Sequence, residues 1–427
     1  MKRKLLGITL AVILGSVINN AEMLWAEGTQ ADPAQAENAA APKPAETAPA
    51  TPEPTWPPGV FMDLLKPTAA GKGLDGIGLR IYGYGEGGFT GRLSGGQDPL
   101  PGRTYDARRP NELRLNQFDL TVDRPYDSNK TADFGMRVDN IFGGDAKLTH
   151  SRGFFENAGV GRSDVWYDML QAYTQGWFKT GAESGLEITA GKFLELAGSE
   201  VALATSNALY SHSFIYTFAE PTTHTGGMVK YVVNSQYFVY AGGVEGWDVT
   251  RDNNGSATLI AGGGWGSKAQ VDGHARTQVL LNLIAGPEQY HNNSDNRVLT
   301  DVVINHFWTA NLSQSLNFDW VTEYQPDIGG REHAYGIAHY LTYVFNDYLS
   351  GTWRTEWFRD EKGTRIGTAG SFFENTWGVT IKPFASHGVL KNFMVRPELR
   401  WDASTEPAFG GDRHDQLTLA ADAIFRF

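Results

Sequence analysis

Apolar and polar residues alternate with a period of two from about Ile77 to the C-terminus. In residues 348–360, for example, Trp353 and Trp357 fall on one face, whereas Arg354 and Glu356 fall on the other. Successive side chains of a β-strand point to opposite faces of the sheet. The pattern therefore predicts strands with one apolar, aromatic face and one charged face.

Sixteen segments carry this alternation. They are residues 77–90, 112–123, 132–143, 166–178, 185–194, 226–234, 236–246, 256–265, 276–286, 297–309, 311–324, 333–345, 348–360, 371–383, 392–402 and 415–427. An even number of such strands is typical of a closed antiparallel up-and-down barrel in the outer membrane. The eighth segment ends in a glycine-rich stretch, and without its hairpin the barrel would have about fourteen strands.

The predicted connections differ in length in a regular way. Those after even-numbered segments are mostly short, and the long ones, 91–111, 144–165, 195–225, 287–296 and 403–414, follow odd-numbered segments. Short periplasmic turns and long outer loops are typical of bacterial outer-membrane barrels. With an even strand number, both ends of the barrel chain then face the periplasm.

The N-terminal region has the features of an export signal. Residues 2–4 are basic, residues 5–18 are apolar, and Ala26 is a small residue suited to cleavage, which predicts a signal peptide over residues 1–26. Residues 27–70 are expected to form an Ala/Pro-rich periplasmic linker that ends in a short plug-like segment. We place the barrel at residues 71–427.

A soluble β-sandwich also alternates, because its polar face meets water and its apolar face packs on a second sheet. Two features favour a membrane barrel instead. The segments are about ten residues long, the length needed to cross a bilayer at a tilt, and aromatic residues, 12% of the chain, lie near their ends. We therefore expect an outer-membrane protein of a Gram-negative-type bacterium.

Motifs for catalysis or cofactor binding receive no support. Gly83, Gly85 and Gly88 fit a nucleotide-binding spacing, but no helix follows them to hold a phosphate. The ten histidines show no metal-binding spacing, and there is no cysteine. The net charge of -12 argues against nucleic-acid binding, because a protein needs clustered lysines and arginines to bind phosphates. We predict no cofactor, no metal and no enzyme activity, although a hydrolase assembled across several strands remains an alternative.

The charged face of the strands is predicted to line the lumen. Its charged members are Arg137, Asp139, Glu187, Lys230, Asp319, Arg354, Glu356, Lys382, Arg396, Glu398 and Arg400. Burying so many charges in a dry core is prohibitive unless every one is paired, so a water-filled lumen is expected. For any single residue, a salt bridge that braces the wall is the alternative.

Residues 195–225 form the third long outer loop, which in general porins commonly folds inward. By that analogy we expect a constriction loop. Its candidate functional residues are Glu195, Glu200, His212, Glu220 and His224.

The final segment ends in an aromatic residue. Phe425 and Phe427 share the apolar face of the last strand, and they resemble the signal that the outer-membrane barrel assembly machinery recognises.

Several stretches together resemble the OmpL-like family of β-barrel porins. They include GLRIYGYGEGGFTG (78–91), LEITAGKF (186–193), GGVEGWDVTRDNNG (242–255), EWFRDEKGTRIG (356–367), VRPELRWD (395–402) and DQLTLAADAIFRF (415–427). The resemblance implies an outer-membrane barrel that acts as a pore, and it supplies no catalytic residues.

The sequence thus predicts a porin-like channel for passive diffusion of small hydrophilic solutes or ions. A plugged barrel that acts in adhesion or surface anchoring is the main alternative, followed by the hydrolase. The expected partners are outer-membrane lipids, the barrel assembly machinery, the solutes and, as an open question, two further copies in a homotrimer.

Overall fold

The computed structural model describes residues 59–427, except for 157–158 and 160–163. The predicted signal peptide and most of the predicted linker lie outside the described residues. The sixteen-stranded barrel itself lies within them.

Sixteen strands form one closed antiparallel barrel. In chain order, β1 to β8 are Arg80–Ser94, Leu113–Arg124, Ala132–Gly143, Trp166–Lys179, Gly185–Leu194, Thr223–Asn234, Tyr237–Val244 and Thr258–Gly266. The strands β9 to β16 are Thr277–Pro287, Asn296–Phe307, Leu312–Gln325, Gly330–Asn346, Leu349–Asp360, Gly370–Ile381, Phe393–Ser404 and Asp415–Arg426. Each strand pairs with its neighbours in sequence, and β1 closes the barrel against β16, with Gly85 opposite Phe425.

The predicted fold class is therefore confirmed, including the glycine-rich eighth strand. Within the described residues, four short α-helices accompany the barrel: α1 (Val60–Leu65), α2 (Ala69–Ile77), α3 (Ala146–Thr149) and α4 (Phe214–Phe218). A two-stranded hairpin, Gln270–Val271 with His274–Ala275, lies in the connection between β8 and β9. None of the helices in the described part of the chain is long and apolar enough to cross a bilayer.

Several predicted strand boundaries differ from the structure by a few residues, and two of these differences have a clear physical reason. Residues 71–77 belong to α2, whose N-cap Thr68 accepts a hydrogen bond from the Gly71 N–H, so the barrel wall begins only at Arg80. The sixth strand begins at Thr223 rather than at residue 226, because Thr223 and His224 already pair with Leu194 and Phe193 of β5. The glycines after His224 had suggested a loop, but the ladder overrides that local preference.

The two faces of the wall differ as the alternation predicted. Along β13 the residues Arg354, Glu356 and Phe358 point inward and are buried, whereas Trp353 and Trp357 point outward. Exposed aromatic side chains ring the exterior near the short-turn end. Among them are Phe178, Tyr237, Trp308, Tyr343, Phe345 and Tyr348. Such a girdle stabilises a barrel where hydrocarbon meets the headgroup layer.

Both ends of the barrel chain lie at the end of the short turns. There Phe427 and Gly83 exchange backbone hydrogen bonds, at 2.9 and 3.1 Å. The guanidinium of Arg124 donates to the carbonyl of Ile77 at 2.9 Å, which ties α2 to the rim of β2. This end is the periplasmic one, since short turns characterise the periplasmic side of bacterial barrels.

Candidate functional site in the lumen

The third outer connection, residues 195–222 and hereafter L3, folds into the lumen instead of standing outside. Its two ends meet at a neck, where the Glu195 N–H donates to the Thr222 carbonyl at 3.1 Å. L3 contains α4, whose N-cap Ser213 accepts from the Tyr216 N–H at 3.1 Å. Most of its residues are buried. L3 thus crosses the barrel as a compact, folded segment.

Three inward arginines of the wall hold the main chain of L3. Arg354, Arg396 and Arg400 each donate to backbone carbonyls of the loop. Arg354 donates to the carbonyl of Ser211 at 2.6 Å. Arg396 donates to the carbonyls of Ala204, at 2.9 Å, and Asn207. Arg400 donates to the carbonyl of His212. Because these contacts are to backbone carbonyl oxygens, they fix the path of the L3 main chain independently of the side chains that L3 carries.

Two inward glutamates complement the arginines by accepting from L3 amides. The Glu356 carboxylate accepts from the N–H groups of Phe214 and Ile215, both at 2.6 Å. The Glu398 carboxylate accepts from Tyr210 and Ser211 at 2.9 and 3.1 Å. Glu356 thereby satisfies amides in the first turn of α4, which have no partner within the helix.

Each arginine also has a carboxylate partner. Wall carboxylates serve all three: Glu374 for Arg354 at 2.9 Å, Asp422 for Arg396, and Asp402 for Arg400 at 2.9 Å. In L3, Glu200 meets Arg354 at 2.6 Å. Burial alone would raise the pKa of Glu200, but the Arg354 guanidinium holds that pKa below its ordinary value.

These paired charges are buried, which corrects the expectation that the charged face meets open water. Arg354 and Arg400 have no exposed surface, and Arg396 is 3% exposed. L3 covers this part of the wall, and the pairing offsets the cost of removing the charges from water. The same arginines therefore brace the barrel wall through their carboxylate partners and hold the constriction loop through its carbonyls.

The neck of L3 meets acidic residues of the wall. Asp301 and Asp319 are register partners on β10 and β11, and both are fully buried. Asp319 is an electrostatic neighbour of Glu220. Burial and the neighbouring carboxylate Asp301 raise the pKa of Glu195 well above its ordinary value. Burial and the adjacent Glu195 and Asp301 do the same to the pKa of Glu220.

A cavity of about 210 Å³ remains between L3 and the wall of β1 to β7, in the periplasmic half of the barrel. Three of the charged residues predicted to line the pore, Arg137, Glu187 and Lys230, contribute to its lining. Glu187 is fully engaged, since it accepts from Tyr126 at 2.7 Å and from Gln175 and Thr189, both at 3.1 Å. This cavity is the open space beside the constriction.

Two predicted site residues lie at or beyond strand ends. Lys382 directly follows the last residue of β14, and its N–H still donates to the Tyr348 carbonyl at 2.8 Å, so its place in the lumen stays a prediction. His224 is part of β6, where its Nδ1 lies 3.1 Å from the Gly246 carbonyl, and it is not a loop residue. His212 lies within L3 and stacks on the Tyr216 ring at 4.4 Å.

Some residues of the site were missed by the sequence reasoning. Arg103 reaches in from the first outer loop and contacts Asp402 at 2.5 Å. Gln117 on β2 accepts from the Ala204 N–H at 3.1 Å and donates to the Ala202 carbonyl at 2.9 Å. The alternation of β2 marks Gln117 as a polar residue, but no sequence signal connects Arg103 to a strand three hundred residues away.

Among the described residues, no group of three or more histidine, aspartate or glutamate side chains has a geometry that could hold a metal ion. The chain contains no cysteine. The lumen side chains described above make hydrogen bonds, ion pairs and aromatic contacts.

Comparison with known proteins identifies the architecture. Residues 78–427 match the family described as "Putative beta-barrel porin-2, OmpL-like". No curated protein sequence matches the chain. The comparison with solved structures finds similar barrels.

Three of those structures illustrate the likeness. OprB of Pseudomonas putida has a TM-score of 0.54 and 13% identity, with 85% of this chain and 97% of that chain covered. The outer membrane channel DcaP of Acinetobacter baumannii has a TM-score of 0.52 and 12% identity, covering 82% and 97%. The trimer form of OmpT of Vibrio cholerae has a TM-score of 0.51 and 12% identity, covering 82% and 99%. At these identities the likeness concerns the fold.

Proposed function

Because the chain belongs to the OmpL-like family of β-barrel porins, we propose that small hydrophilic solutes and ions diffuse passively through its lumen, past L3. The protein is an outer-membrane porin channel. The finer statement, that passage is passive and involves no chemical step, is the proposal. It rests on a lumen whose charged and hydrogen-bonding groups are engaged with one another and with L3.

One observation carries the proposal. L3 crosses the lumen and is held by wall arginines on one side, while a cavity stays open on the other. Barrels with sixteen to eighteen strands are wide enough for an aqueous channel. A folded loop that narrows such a barrel selects solutes by size, and the lumen charges beside it select by charge.

The charged residues of the lumen have two different roles in this proposal. We infer that Arg354, Arg396 and Arg400 act mainly as loop anchors, since they are buried under L3. Arg137 and Lys230 keep 11% of their side-chain surface exposed beside the cavity. We assign these two residues to the passage itself.

The test is single-channel conductance of the purified protein in planar bilayers. We expect defined current steps from the wild type, and larger steps when L3 is shortened by removing residues 199–213 and bridging the gap with glycines. The matched control removes residues 290–294 from the connection between β9 and β10 and should leave the step size unchanged. Folded protein that gives no current before or after shortening of L3 would instead support a sealed barrel used for surface anchoring.

We also propose a homotrimer. The similar barrel of Vibrio cholerae OmpT has been solved in a trimer form. Native mass spectrometry in detergent should show three copies, and a strictly monomeric species at all protein concentrations would contradict this proposal.

A further inference from the structure

The cavity beside L3 offers both apolar surface and polar groups, and this combination points to a class of solute. On the loop side, Leu196, Val201 and Leu203 line it together with Glu195. On the wall side, polar and charged side chains of β2 to β6 line it together with apolar ones such as Phe193. A solute that rests there therefore needs an apolar part next to a polar part.

The size of the cavity limits the apolar part. A closed apolar cavity of about 150 Å³ holds one benzene molecule. The volume of about 210 Å³ therefore accommodates one ring or a branched alkyl group together with a short polar head.

The cavity lining includes a cation that is partly exposed. The Arg137 side chain is 11% exposed, while its carboxylate partner Asp139 is fully buried and is held by the Arg137 Nε at 2.9 Å. Gln171 also donates to Asp139, so two side chains hold this carboxylate in place. Arg137 itself lines the cavity, where its positive charge attracts a carboxylate of a solute.

An acceptor with unmet capacity lines the same cavity. Asp119 on β2 is 1% exposed, and one of its oxygens accepts from the Thr121 hydroxyl at 2.8 Å. Its other oxygen, Oδ2, is buried and has no hydrogen-bond partner among the described residues. A buried acceptor of this kind is costly to leave unsatisfied, and an ammonium group is the donor that suits a carboxylate best.

From this arrangement we infer that the cavity is a low-affinity binding station for zwitterionic α-amino acids with an aromatic or large aliphatic side chain. The ammonium group meets Asp119, the carboxylate meets Arg137, and the side chain lies against Leu196, Val201 and Leu203. The inference rests on the proposed channel function and names the solute class for it. A solute with only one of the two charges satisfies half of the site.

The experiment measures block of the ion current through the mature protein in planar bilayers at about 0.1 M KCl, where screening is moderate. Four probes are compared: L-phenylalanine, 3-phenylpropionate, phenethylamine and glucose. We expect L-phenylalanine to block at a concentration about tenfold lower than either singly charged analogue, as the loss of one charged hydrogen bond implies. Glucose should block least.

Two variants separate the charges. Asp119→Asn should weaken block by L-phenylalanine and phenethylamine about tenfold but not block by 3-phenylpropionate. Arg137→Gln should weaken block by L-phenylalanine and 3-phenylpropionate but not block by phenethylamine. Lys268→Gln, in the turn after β8 and outside the cavity lining, is the control and should behave as wild type. Heat-modifiable migration in gels checks that each variant is folded.

The outcomes distinguish the inference from the channel function. Normal current with equal block by all four probes, or with no block by L-phenylalanine, overturns the amino-acid site and leaves the channel standing. Absence of current overturns the channel, and the site is then tested by saturation-transfer NMR of L-phenylalanine with the detergent-folded protein. No transfer, or transfer that Asp119→Asn leaves unchanged, overturns the site as well.

Discussion

Replacing Glu356 by alanine tests whether wall charges hold L3 inside the barrel. The Glu356 carboxylate accepts from the amides of Phe214 and Ile215, each at 2.6 Å, and these amides begin α4. In Glu356→Ala the carboxylate acceptor is absent, and both N–H groups stay buried without a partner unless the loop moves. The variant should therefore increase the population of states in which α4 leaves the wall.

The size of the effect follows from the two contacts. A hydrogen bond to a charged group contributes about 1.5–3 kcal/mol, so two contribute about 3–6 kcal/mol. Water replaces part of this loss once α4 moves, and we take the lower limit of about 3 kcal/mol. Since each 1.4 kcal/mol changes an equilibrium tenfold, opening of α4 should become about a hundredfold more frequent.

Amide hydrogen exchange measured by mass spectrometry checks this directly. Peptides that contain Phe214 and Ile215 should exchange about a hundredfold faster in Glu356→Ala, whereas peptides from β9 should be unchanged. Glu183→Ala, in the turn between β4 and β5, is the matched control and should leave L3 exchange as in the wild type. Wild-type exchange of the α4 amides in a folded Glu356→Ala barrel would refute the anchoring role of the wall charges.

Three further outcomes are expected. Because burial raises the pKa of Glu220, the protonated form of Glu220 stabilises the docked loop. This stabilisation is lost as the pH rises from the ordinary pKa of glutamate towards the raised pKa. Current fluctuations should therefore grow over this pH range and depend less on pH in Glu220→Gln, whereas an unchanged pH dependence in the variant would contradict the argument. Removal of Phe427, which stacks on Phe118 at 5.7 Å, should lower the amount of folded protein in outer membranes, measured by membrane fractionation and heat modifiability, and normal levels would refute an assembly role. Arg400→Gln should raise mean conductance and shift the reversal potential in a salt gradient towards cation preference, because it removes both an L3 anchor and a positive charge; unchanged values of both would show that Arg400 only braces the wall.

The strands and their faces were determined by the sequence itself. The alternation in β13 and β15 requires an apolar environment outside and a polar one inside, and only a closed barrel provides both without leaving an unpaired edge. The strand number was confirmed because every strand carries the alternating pattern independently. The family resemblance was confirmed by the match over residues 78–427. Local signals misled only at strand ends, as at His224, where pairing with β5 overrides two following glycines.

The path of L3 was decided by tertiary structure alone. The sequence shows a long third connection with acidic residues, but nothing in it states that Arg354, Arg396 and Arg400 will bind the backbone carbonyls of this loop rather than water. Such contacts join residues between 143 and 192 positions apart, and backbone carbonyls have no sequence signature. The charged face could therefore be read from the sequence, whereas the division between buried anchors and an exposed passage arises only when the closed barrel brings its wall around L3.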